Sequence, residues 1–100
     1  MVNEELSDRL MELTGWEKCF LGGWRFVGKG KEPELPNTLE DLISLWPKEY
    51  RRYRVKTKSG ECFWMAGLPQ DAIPKIKVPD TGDEEQDTAL LLIKVLESKK

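Results

Sequence analysis

The chain has 100 residues, 39% of them hydrophobic and 34% charged, with a formal net charge of −2 and a pI near 5.2. That length suits a single domain, 1–100, in which about two-thirds of the unfolded surface is buried without disulfide staples or a structural metal. Histidine is absent and cysteine occurs twice, which excludes Ser/His and Cys/His nucleophile pairs, zinc sites built on imidazole, and four-thiolate sites.

These exclusions lead us to expect a protein that is not an enzyme, with no catalytic residues and no cofactor. No apolar run is longer than Ala89–Ile93, far short of the ~20 residues that span a bilayer. Met1-Val2-Asn3-Glu4-Glu5 is acidic and polar, unlike a secretory leader. A cytoplasmic setting with no membrane partner is the expectation. Cys19 and Cys62 then read as reduced, core-facing thiols, with a Cys19–Cys62 disulfide as the open alternative.

In chain order, Leu6, Leu10 and Leu13 recur at i, i+4 and i+7, which predicts a helix from Glu4 to Leu13. Asn3 is its cap, Glu4 and Glu5 complement the helix dipole, and Gly15 is its stop. From Trp16 to Val27, aromatic and β-branched residues flank Gly22-Gly23, the signal of a two-residue hairpin turn. Residues 28–36 hold Gly28, Gly30, Pro33 and Pro36 and read as a mobile loop. Thr38 and Asp41 have the spacing of a capping box. Leu39, Leu42, Ile43 and Trp46 follow at helical spacing up to Pro47, a short helix expected to lie as a lid on the sheet.

Tyr53–Lys58 and Glu61–Ala66 form the clearest hairpin, joined by Ser59-Gly60. A two-residue turn sets Val55 opposite Trp64 and Arg54 opposite Met65. One face then carries Tyr53, Val55, Thr57, Cys62, Trp64 and Ala66 as core, and the other Arg54, Lys56, Phe63 and Met65. Pro69, Pro74 and Pro79 argue against a regular central strand after Gly67, with Ile73, Ile76 and Val78 left to pack along an edge. Residues 67–82 are expected to share the mobility of 28–36. An acidic lead-in capped by Asp80 or Asp83 opens the last helix. Its stripe is Ala89, Leu92, Ile93 and Leu96, widened by Leu91 and Val95, with Lys94, Lys99 and Lys100 toward its end. So wide an apolar face implies cover on more than one side. The fold class is α+β: a small antiparallel sheet from two hairpins with about three helices packed on it. If the Phe63/Met65 face is covered, the result is a three-layer α/β/α sandwich.

The order of these pieces resembles small phage proteins of the ABA-sandwich domain family. The similarity spans nearly the whole chain and is carried by Gly15-Trp16, by Pro36-Asn37-Thr38 opening a short helix, and by the Thr88–Ile93 helix after an acidic lead-in. It implies helices on both sides of a sheet and a phage or mobile-element source, and it brings no assigned chemistry with it.

Two motifs have simple structural readings. Gly23 to Gly30 nearly spells a phosphate-cradling loop, but Gly30 stands where a magnesium-holding hydroxyl belongs, and a strand running into a glycine loop accounts for it. The acidic run Asp80, Asp83, Glu84, Glu85, Asp87 lacks the alternating ligands of a calcium loop and reads as a turn and helix cap. The concentrated basic stretch is Lys48 to Lys58. Its candidate binding surface is Arg51, Arg52, Arg54 and Lys56, with Phe63 and Met65 from the next strand and Trp24 as an aromatic anchor. Those residues suit an acidic patch on another protein. They also suit a nucleotide-like small anion held by Arg, Lys and Trp, or single-stranded nucleic acid. The bland alternative is a solvated face, or cationic stems lying over apolar neighbours beneath a helix. A binding protein acting through protein contacts is the leading expectation.

Overall fold

A computed structural model describes residues 2–70 and 75–99; Ile73 and Pro74, read above as edge packing and a strand break, lie outside them. Helix α1 (Glu4–Leu13) begins where the Asn3 side chain accepts a hydrogen bond from the Glu5 N–H at 2.8 Å. Just beyond its end Gly15 adopts φ +105°, and a β-carbon there would sit 3.0 Å from the Phe26 ring. Its carbonyl accepts from the N–H groups of Val27 and Gly28, which folds the next hairpin back beneath α1.

That hairpin is β1 (Trp16–Lys18) with β2 (Trp24–Phe26), Lys18 pairing with Trp24. Gly22-Gly23 is not its two-residue turn. The Cys19 N–H donates to the Gly23 carbonyl at 2.6 Å, so the reversal runs through Phe20-Leu21-Gly22. Cys19 is exposed rather than core-facing as expected, whereas Cys62 is half-buried and shares by register the β4 face that carries Trp64 and Ala66; both are free thiols.

Helix α2 (Leu39–Ser44) carries the predicted capping box, with Thr38 and Asp41 bonding reciprocally. It does not cover a sheet. Leu42 is fully buried with Leu10, Ala89, Leu92 and Ile93, on a layer made of helices. The wide face of α3 supplies enough apolar surface to hold α1 and α2 as well as strands.

Strands β3 (Arg51–Lys56), β4 (Cys62–Gly67) and β5 (Ile76–Pro79) form a second antiparallel sheet in that order. The hairpins therefore build two small sheets rather than one. Pro79 closes β5 at the sheet edge, where a missing N–H is tolerated. The β3–β4 register differs by one residue from the sequence reading: Arg54 faces Trp64, Val55 faces Phe63 and Tyr53 faces Met65. Thr57 donates to Glu61 across a three-residue loop, Lys58-Ser59-Gly60, which Gly60 completes at φ +93°. One residue of slip exchanges every β3 side chain between faces. Trp64 and Ala66 remain core as expected, but Tyr53 and Val55 leave that face and Arg52 and Arg54 enter it.

Helix α3 (Glu84–Ser98) is capped by Asp83, whose carboxylate accepts from the Gln86 N–H. Ala89, Leu92 and Ile93 join the helical cluster, while Leu91 and Val95 pack with Trp64, Ala66 and Val78 of the sheet. Trp46 packs against both clusters. Among the described elements α3 alone lies on β4 and β5. Among the described residues the three-stranded sheet is therefore covered on one face, and the architecture they form over it is two layers, not three.

Candidate functional site

Two of the three β3 arginines, Arg52 and Arg54, lie on the α3 side of the sheet. Arg52 donates from Nη1 to the Thr88 hydroxyl at 2.7 Å and pairs with Glu84 at 3.3 Å. Its guanidinium carbon lies 4.7 Å from the Trp64 ring centroid. Arg54 reaches Asp80 at 2.9 Å and stands 5.8 Å from the same ring. An arginine plane over an indole face is attracted by the ring quadrupole. The acidic lead-in and first turn of α3 thus neutralise Arg52 and Arg54 within the molecule, and their stems cover Trp64.

Asp80 is held below its ordinary carboxyl value, first by the Gly82 N–H that donates to it at 3.0 Å. Burial works against that shift, and the Arg54 guanidinium adds to it. Asp87, also buried, accepts from both the N–H and the hydroxyl of Thr81, at 2.9 and 2.7 Å. These contacts make residues 80–87 a folded turn. Among the described residues no group of three or more Cys, Asp or Glu side chains is gathered so as to hold a metal ion.

The opposite sheet face is different. By register it presents Arg51, Tyr53 and Val55 from β3, Phe63 and Met65 from β4, and Lys77 and Pro79 from β5. Tyr53 is 39% exposed and Val55, Phe63 and Met65 are half-buried. Lys77 places its ammonium 4.5 Å from the Phe63 ring centroid. Within the paired strands this face carries two cations and no carboxylate.

Of the seven residues singled out in the sequence, the structure gathers Arg51, Phe63 and Met65 on this face. Arg52 and Arg54 lie on the other side in ion pairs, and the exposed Lys56 follows them there by register. Trp24 belongs to the other sheet, with Lys18 5.9 Å from its ring. Sequence reasoning missed Tyr53, Val55 and Lys77. A three-residue turn at Lys58-Ser59-Gly60 would have placed the first two here.

A second concavity lies at the junction of α2 and β3. It is an open groove of about 320 Å3 lined by Ile43, Trp46, Pro47, Lys48, Tyr50 and Arg52. The Trp46 indole N–H donates to the Tyr50 carbonyl, and the Tyr50 N–H to the Pro47 carbonyl, both at 3.1 Å. Those two bonds fix the turn that positions the aromatic residues. A smaller hollow of about 190 Å3 is lined by Arg54, Trp64, Asp80, Gly82 and Glu84, whose charges are already matched. No described helix is long and apolar enough to cross a membrane. Comparison with protein-family models, with curated proteins and with solved structures gives no match, so the assignment of function rests on these surfaces.

Proposed function

We propose that this chain is a non-enzymatic binding protein whose partner is another protein, docked on the uncovered face of the β3–β4–β5 sheet. The observation that carries the reading is that face itself: Tyr53, Val55, Phe63 and Met65 in its centre, Arg51 and Lys77 beside them, and no carboxylate in the ladder. An apolar patch bordered by charge of one sign marks an interaction site. Electrostatic complementarity makes the partner a protein surface with an apolar centre and an acidic border. A phage or mobile-element source would fit an accessory role of this kind, and rests on the resemblance of element order alone. The reading that single-stranded nucleic acid binds the hairpin loses support, because Arg52, Arg54 and Lys56 lie across the sheet from Phe63.

The test is affinity capture from source-cell lysate, run in parallel with wild type, Met65→Glu and Lys77→Glu, each checked for an unchanged circular dichroism spectrum. A partner retained by wild type, lost with Met65→Glu and weakened with Lys77→Glu supports the reading. Capture indifferent to Met65→Glu overturns it. So does sedimentation showing a wild-type dimer that Met65→Glu dissociates, since the face would then belong to a second copy.

A further inference from the structure

We infer that the groove between α2 and β3 binds a small molecule that joins a planar aromatic ring to an anionic group, the class to which nucleoside monophosphates belong. This site is separate from the sheet face proposed above and stands or falls independently of it. Three features of the groove point to that chemistry. Two of its lining residues, Trp46 and Tyr50, are aromatic, and Ile43 and Pro47 extend the apolar wall. Ile43 is half exposed although it sits on a helix, so the wall is open to a ligand. Stacking on such a wall is tolerant of ring identity.

The charge of the groove is the second feature. Lys48 and Arg52 line it and no acidic residue does. Glu49, next to Lys48 in sequence, is paired with Lys99 at 2.7 Å, and Arg52 is itself paired with Glu84 at 3.3 Å. Lys48 is exposed and has no ion-pair partner among the described residues. It is the uncompensated charge of the groove, placed beside the aromatic wall, where an anion attached to a ring would meet it.

Preorganisation is the third. The Trp46-to-Tyr50 hydrogen bond and the packing of Trp46 against both hydrophobic clusters hold the wall in place without a ligand. Arg52 is likewise anchored through Nη1 by Thr88 and Glu84. A ligand therefore has little ordering cost to overcome. The size, about 320 Å3, falls at the small end of ligand sites, roughly 300–1,000 Å3, which favours a mononucleotide-sized molecule over a dinucleotide.

The experiment titrates the intact protein with AMP, adenosine, inorganic phosphate and a single-stranded oligoadenylate, following tryptophan fluorescence and the Trp46 indole N–H resonance. AMP is expected to shift that resonance and to bind at least tenfold more tightly than adenosine or phosphate alone. Lys48→Glu, a change at an exposed position, should weaken AMP at least tenfold, while Lys56→Glu should leave it unchanged. No shift by AMP at millimolar concentration overturns the inference, as does AMP binding that Lys48→Glu does not alter. Oligoadenylate binding more tightly than AMP, with a steep loss in salt, also overturns it, because the groove would then serve nucleic acid.

Discussion

Trp64 lies under two arginines whose charges are spent on Asp80 in the lead-in to α3 and on Glu84 at its start, and this contact decides what that face of the basic strand is for. The Thr88 hydroxyl that Arg52 reaches belongs to a fully buried residue. Replacing Arg52 by Ala removes a charge-assisted hydrogen bond, worth about 1.5–3 kcal/mol, and uncovers the Trp64 ring. Arg52→Ala is therefore expected to lower stability by roughly 2 kcal/mol in urea unfolding. Arg52→Lys should recover only a minor part, since an ammonium lacks the planar face that stacks on indole. Arg54→Ala should cost less than Arg52→Ala, because the Arg54 side chain is 64% exposed and such pairs are screened by solvent. An Arg52→Ala protein as stable as wild type would mean that this guanidinium is a free charge, and would return the basic strand to the list of binding surfaces. Composition alone does not separate these cases. An arginine on a strand reads the same in sequence whether it meets solvent or an indole, and only the parity of its register tells them apart.

At the scale of elements, local signals were legible wherever one residue type answers one backbone need. Asn3 and Asp83 at helix starts and the Thr38/Asp41 box are of this kind. The error lay at Ser59-Gly60, where two-residue and three-residue turns both use a glycine with positive φ and differ by one position. Here Gly60 closes the longer turn with nothing within 4 Å of where its β-carbon would be, so a substitution there meets backbone strain and no clash. Gly60→Ala should destabilise by about 1–2 kcal/mol and Gly60→Asn by less, the side chains differing in tolerance of that conformation. Equal costs for Ala and Asn would count against this turn. The acidic lead-in makes a separate prediction about pH. Asp80 titrates below its ordinary value of 3.8 in the folded chain, so its contribution is intact above that value and is lost as pH falls through the folded value. Acid unfolding curves should show stability falling below about pH 4, with Asp80→Asn less stable near neutrality and flatter in acid. A slope unchanged in Asp80→Asn would assign acid sensitivity to other carboxylates, of which Glu49, lowered chiefly by its Lys99 contact, is the next to examine.

For the whole molecule, measuring 50 × 28 × 20 Å, the organising fact is that α3 is buried on two sides by different neighbours. Leu92 faces the helical cluster and Leu91 the sheet cluster, a division that the broad apolar face of the sequence implied without naming its two coverings. Each Leu→Ala change should cost about 3 kcal/mol, and both should shift one common unfolding transition, because α3 and the bridging Trp46 bind the clusters into one unit. The β1–β2 hairpin stands outside that unit. No residue from 12 to 35 is buried, Phe20 and Leu21 at its tip are fully exposed, and its packing is the Trp16–Phe26 ring contact, with centroids 5.6 Å apart, against α1. Few buried contacts mean that it opens without the rest of the fold. Amide hydrogen exchange should show β1 and β2 at least about a hundredfold less protected than the centre of α3, with hairpin rates insensitive to low denaturant and α3 rates rising steeply. Protection of the hairpin equal to that of α3 would mean that the hairpin unfolds only with the core, and that its Trp16–Phe26 contact with α1 is as much a part of the cooperative unit as Leu91 or Leu92.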